Sequence, residues 1–178
     1  MILDKLSYRS LQWLVLLFLA LHNLEEALTA GAYFPKIDAL LKRAGMPDSL
    51  LASRPTLAQF YLALAGATIF PLVIVAIATT GRSTRVKAYL VAVLQAMVLV
   101  NVFVPHVPAA VALGGYAPGV LTAVFVNLPF SIYFFRRSQR ESQITWKGLV
   151  VAMLIALPLL ILSVRLLYAL GGLLGGSP

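Results

Sequence analysis

Apolar side chains dominate this chain in five long runs, parted by short stretches that gather most of the charge. A helix needs about 20 residues to cross roughly 30 Å of hydrocarbon. The runs at about 11–29, 56–79, 86–113, 119–135 and 146–170 come near or exceed that length. Each ends at Gly, Pro or a group of basic residues, which are ordinary helix stops. The pattern predicts an all-α fold: a polytopic membrane helical bundle of about five transmembrane helices, forming one domain over 1–178.

The first run departs from the others. Its uninterrupted apolar part, Leu11 to Leu21, would rise only about 16 Å as a helix. To span, it must continue through His22-Asn23-Leu24-Glu25-Glu26 to about Thr29. That places an imidazole and two carboxylates within or near the hydrocarbon layer.

Composition supports the membrane reading. The chain is 61% hydrophobic and 11% charged, against about 25% charged in soluble proteins. With a mean hydropathy of +0.92, the apolar excess must face lipid, because one core of this size cannot hide it. The net charge of +8 would suit nucleic acid if it formed a patch. Here it sits between apolar runs, where it sets topology and meets anionic head groups. Lys5, Arg9, Arg82, Arg85, Lys87, Arg136, Arg137, Arg140 and Lys147 share one side; Lys36, Lys42, Arg43 and Arg54 share the other. By the positive-inside rule the N-terminus is cytoplasmic and the C-terminus outside. The expected setting is a multi-pass protein of the cell membrane, of bacterial inner-membrane type, with membrane lipids as partners and no nucleic acid. With no cysteine, disulfides, thiolate catalysis and Cys-type metal sites are excluded.

Three local expectations follow. The first loop, about 30–55, is the longest, and its 37–43 stretch has the pattern of a short amphipathic helix lying on the outer surface. Ala30-Gly31-Ala32 resembles a leader cleavage site, but the charged triplet before it argues that 1–29 is mature protein. The Gly-rich tail, 171–178, should fray.

The polar residues carry the candidate chemistry. On a helix His22 and Glu26 lie one turn apart with Glu25 beside them, the two acids about 100° apart around the axis. In lipid such a group costs several kcal/mol if unpaired. It needs a proton, a counter-charge or a metal. At about 1.5 Å per residue, Asn101, His106 and Arg165 fall near the same depth on other spans. Pro105 and Pro108 release the carbonyls of Asn101 and Val104, which lipid does not tolerate without protein or water partners. A bent third span carrying Asn101 and His106 therefore suits a polar cavity. The alternatives are a water-exposed cluster paired with Arg54 or Arg165, and a buried packing network without catalysis. Arg165 could equally snorkel to the interface.

At His22-Asn23-Leu24-Glu25-Glu26 the chain resembles the HXXEE family of integral membrane proteins, named after this pattern. Asn101, His106, the Gly115-Tyr116-Ala117-Pro118-Gly119 stretch and Thr122 add to the resemblance. It implies a membrane fold with His22, Glu25 and Glu26 as signature positions, and no particular reaction. The motif is also one residue from the inverzincin pattern H-x-x-E-H, with Glu26 at the second histidine. That analogy makes His22, Glu26 and His106 metal ligands and Glu25 a catalytic general base, with Asn101 and Arg165 as supporting polar groups. Two histidines and a carboxylate suit a divalent metal, zinc in hydrolysis or iron in oxygen chemistry. The reading placed first is an intramembrane metal-dependent enzyme acting on a lipid-like or apolar substrate. The alternatives are a small transporter or proton-coupled carrier, and a structural protein with a charged packing network.

Overall fold

The computed structural model describes residues 2–175, and among them it is helical with no strand. A short 3₁₀ turn at Ile2–Lys5 precedes α1 (Tyr8–Arg43), α2 (Asp48–Ala52), α3 (Leu57–Thr79) and α4 (Arg85–Asn101). After a widened turn at Val102–His106 come α5 (Val107–Ala112) and α6 (Val120–Thr122). A second widened turn, Ala123–Asn127, joins α6 to α7 (Leu128–Arg140), so 120–140 reads as one helix; α8 is Trp146–Gly175.

Local chemistry sets the starts. Ser7, Thr56 and Thr84 each accept a hydrogen bond from the backbone N–H three residues on, satisfying a donor the helix cannot. Thr56 and Gln59 complete a reciprocal capping box.

Four of the helical stretches are long and apolar enough to cross a membrane: Tyr8–Arg43, Leu57–Thr79, Arg85–Ala112 and Trp146–Leu173. The core where they meet is small, built around Leu11, Val15, Val75, Val91, Phe134 and Ala156. Much of the remaining apolar surface faces outward; on α8, Leu154 is 71% exposed and Leu166 55%. Such a belt suits a lipid surrounding.

The expected fourth span is helical but differs in kind. Residues 120–140 end in Arg136, Arg137 and Arg140, and the last turn is anchored on the N-terminal segment. Tyr8 Oη lies 2.9 Å from Ser138 Oγ, and Arg137 donates to the carbonyls of Leu3 and Leu6. Its other end begins beside His22, well inside α1. The depth beyond is taken up by α5 and the 113–119 turn.

Two local expectations are corrected. No surface helix separates from α1 at 37–43, because α1 runs unbroken for 36 residues through Pro35 to Arg43. Pro35 leaves only the carbonyl of Gly31 without its helical partner. Ala30, Gly31 and Ala32 accordingly lie mid-helix, with Ala30 fully buried. In the tail, 171–175 is helical rather than frayed; Gly176, Ser177 and Pro178 lie outside the described residues.

Candidate metal centre

His22, Glu25 and Glu26 sit near the middle of α1, about 21 Å from its first residue and 25 Å from its last at the helical rise. His22 is 1% exposed and Asn23 7%. Asn23 donates to Thr68 Oγ1 at 2.8 Å, pinning α1 to α3 at this level. The cluster is therefore interior, not the wet end of a tilted helix. Arg54 is engaged elsewhere, on Asp38.

The broken end of α4 brings in the second histidine. Five residues along a regular helix turn a side chain about 140° away, which would keep Asn101 and His106 apart. Here Val107 N–H reaches back five residues to the Val102 carbonyl, Val104 is extended (φ −144°, ψ 104°), and the Val104–Pro105 peptide is cis. In this irregular turn Asn101 Nδ2 lies 2.9 Å from His106 Nε2 and 3.2 Å from His22 Nε2. The two rings meet edge to face with centroids 4.5 Å apart.

The outward ring nitrogens fix the tautomers. His106 Nδ1 lies 2.9 Å from the Pro118 carbonyl oxygen, which can only accept, so Nδ1 carries the proton. His22 Nδ1 lies 2.9 Å from Thr122 Oγ1. That hydroxyl gives its own hydrogen to Glu25 Oε2 at 2.6 Å, so it accepts from His22. Both Nε2 lone pairs then point inward, where the Asn101 amide donates one hydrogen to each. These proton positions follow from the network of partners.

The carboxylates divide. Glu26 Oε1 lies 3.5 Å from His106 Nε2. Ligand atoms of His22, Glu26 and His106 all come within 4.8 Å of one another, close enough to hold a metal ion. Glu25 turns the other way. Its Oε1 accepts from Tyr116 Oη (2.8 Å) and Leu121 N (3.1 Å). Its Oε2 accepts from Thr122 N (2.7 Å) and Thr122 Oγ1. Glu25 thus caps the start of the 120–140 helix, where unpaired N–H groups and the helix dipole favour an anion. Both oxygens are taken by donors.

Gly119 closes the remaining side. Its φ of 81° is left-handed. A Cβ there would stand 2.7 Å from Glu26 Cγ and His22 Cε1, and 2.9 Å from His106 Cε1. Glycine is required both by the backbone and by the three side chains packed over it. Tyr116 Oη also donates toward Thr29 Oγ1 at 3.3 Å, and its ring packs on Tyr33, so the turn is tied down along α1.

The structure thus brings together His22, Glu26, His106 and Asn101. It places Glu25 against the helix start and Arg165 across a cavity. That cavity, about 1350 Å³, runs between α1, α3, α4 and α8; Glu26, Asn101, His106 and Arg165 lie in its wall among Leu, Val, Ile and Phe side chains. The residues that sequence reasoning left without a role are Pro118, Gly119 and Thr122. Their signal was the Gly115-Tyr116-Ala117-Pro118-Gly119 stretch and Thr122, which entered only through the family resemblance.

The model of "Protein of unknown function with HXXEE motif" matches residues 13–134, which contain all of these groups except Arg165. The "Uncharacterized protein YrkK" of Bacillus subtilis (strain 168) is 26% identical over 153 residues, 86% of this chain and 90% of that protein. No solved structure matches. With the match running from the first helix through most of the 120–140 helix, the chain belongs to the HXXEE family.

Proposed function

We propose that this protein is an intramembrane metal-dependent enzyme, with His22, His106 and Glu26 holding a divalent cation of the zinc or iron type. One observation carries the reading. Two buried imidazoles have their Nδ1–H groups committed outward, so their Nε2 lone pairs face inward beside Glu26, with ligand atoms of all three residues within 4.8 Å of one another. Metal-binding histidines almost always donate the other ring N–H in this way, which fixes ring orientation and raises basicity. Here the outward acceptors are the Pro118 carbonyl and the Thr122 hydroxyl.

Two histidines and a carboxylate leave coordination positions open, as catalytic rather than structural sites do. When bound, such a cation supplies Lewis acidity and activates water. The chain's own groups do the rest. Glu26, His106 and Asn101 line the cavity, so the reacting face opens on a space with a mainly apolar wall. Asn101 offers amide hydrogens to an oxygen brought to that face. Glu25 acts as a positioning residue through Thr122 and the helix start, in place of the general-base role its sequence position implied. We also assign the bundle to the cell membrane with its N-terminus inside, from the distribution of basic residues.

Elemental analysis of purified protein tests the metal. Near-stoichiometric zinc or iron is expected in the wild type, lost in His22→Ala and Glu26→Ala. Negligible metal in the wild type, even after incubation with either ion, would overturn the reading.

A further inference from the structure

Among the described residues Arg165 makes no hydrogen bond and no ion pair, although it lies on a membrane-spanning helix. Its depth follows from neighbouring contacts. A Cβ at Gly66 would collide with Leu167, which sets α8 against α3 at that level. Two residues along α3, Thr68 binds Asn23. With α3 and α8 antiparallel, as the approach of Gly171 to Gln59 requires, Arg165 falls opposite Thr68. It is thus level with Asn23 and the metal-centre residues beside it. Arg165 is exposed rather than packed inside the bundle, but on a membrane-spanning helix an exposed guanidinium without a partner is costly, and it lines the same cavity as Glu26, Asn101 and His106.

The rest of that wall is apolar: Leu19, Phe60, Phe70, Ile74, Met97 and Leu160 are typical. About 1350 Å³ exceeds the usual range of roughly 300–1,000 Å³ for small-molecule sites. The cavity also extends along α4 as far as Tyr89 and Val86, away from the polar groups. Such a space fits hydrocarbon chain, with charge at one level only.

We infer that the cavity takes an amphiphile with an anionic head group, a phosphate or carboxylate paired with Arg165 and its acyl chain laid along the apolar wall. Arg165 supplies a planar fork of donors that matches either anion. The bonds nearest the head group then face Glu26, Asn101 and His106. This inference rests on the proposed metal centre only for the fate of the ligand; recognition belongs to Arg165 and the apolar wall.

The test is lipid binding by native mass spectrometry of detergent-purified protein. The probes are lysophosphatidate, oleate, lysophosphatidylcholine of equal chain length, and inorganic phosphate. At least one of the two anionic amphiphiles should bind about tenfold or more tightly than the zwitterionic lipid, and the stronger one identifies the head group. Arg165→Gln should abolish that preference, Arg165→Lys should restore part of it, and metal content should not change in either. Equal binding of anionic and zwitterionic lipids by the wild type would overturn the inference. So would a preference that survives Arg165→Gln, or inorganic phosphate binding as tightly as the lipid. A wild type that selects anionic lipid but carries no metal would retain the ligand assignment and remove the enzyme.

Discussion

Replacing Gly119 with alanine puts the centre under the most direct stress, and the structure supplies both terms of its cost. At φ 81°, a residue with a Cβ gives up about 1–2 kcal/mol for the left-handed backbone. The second term is contact. The new methyl would lie 2.7 Å from Glu26 Cγ and His22 Cε1 and 2.9 Å from His106 Cε1. Carbon atoms settle at about 3.5–4.0 Å, so the first two must retreat by at least about 0.8 Å and the third by about 0.6 Å. Overpacking of this kind costs about 1–3 kcal/mol. Gly45→Ala is the matched control, because Gly45 has the same φ of 81° with nothing within 4 Å of its Cβ position. Gly45→Ala should lose only the backbone term and keep its metal. Gly119→Ala should lose about 1–3 kcal/mol more, read as a further fall in Tm of about 2–4 °C per kcal/mol for a chain of this size. The forced shifts also exceed the ±0.2 Å tolerance of metal–ligand distances. Metal affinity should fall by at least the 10–100-fold seen when ligand-orienting groups are lost. Thermal unfolding in detergent and metal titration read the two effects. If both glycine variants matched in Tm and metal content, the packing of His22, Glu26 and His106 over Gly119 would be refuted.

Other outcomes separate the parts of the network. Glu25→Gln should lower stability by about 1–3 kcal/mol, because an amide nitrogen would face donors that now meet carboxylate oxygen; bound metal should persist in the folded fraction, as elemental analysis would show. Glu26→Gln should do the reverse, losing metal while Tm measured after chelation stays close to that of chelated wild type. Thr122→Val removes the acceptor of His22 Nδ1 and should weaken metal binding by about 10–100-fold, with Thr122→Ser restoring most of it; equal affinity in all three proteins would refute the orienting role of Thr122. Restoring metal at a hundred times its Kd to chelated protein should add about 2.7 kcal/mol by mass action, visible as a concentration-dependent rise in Tm.

The sequence made the outline legible because lipid enforces length and polarity so strictly. A run from Leu11 to Leu21 too short to span obliged His22 to Glu26 to be interior, and Pro105 marked the break that carries His106 toward Asn101. Helical spacing could not say which acid would join the histidines, since Glu25 and Glu26 both lie close to the His22 face. The choice is made by the 120–140 helix, about a hundred residues away, whose N-terminus claims Glu25. Nothing in local periodicity foretells that the 113–119 turn dips to meet α1, or that Gly119 becomes a wall of the site. The 37–43 stretch was misread for the opposite reason. Its amphipathic pattern was real, but Pro35 does not break α1, whose two halves stay in register.

The Asn101 amide has a consequence for assembly. Because its two hydrogens already answer the inward nitrogens of both rings, neither imidazole depends on a cation to be satisfied. The network can therefore pack without a cation, and the proposed ion would be acquired afterwards, unlike in zinc-finger domains that stay unfolded until loaded. Binding of the proposed cation would oblige the amide to rotate or withdraw, since a cation and an N–H donor cannot share the same lone pairs. Under the proposed metal reading, Asn101 would hold the place of the ion until it binds, and its displacement would be felt in the cavity that it also lines.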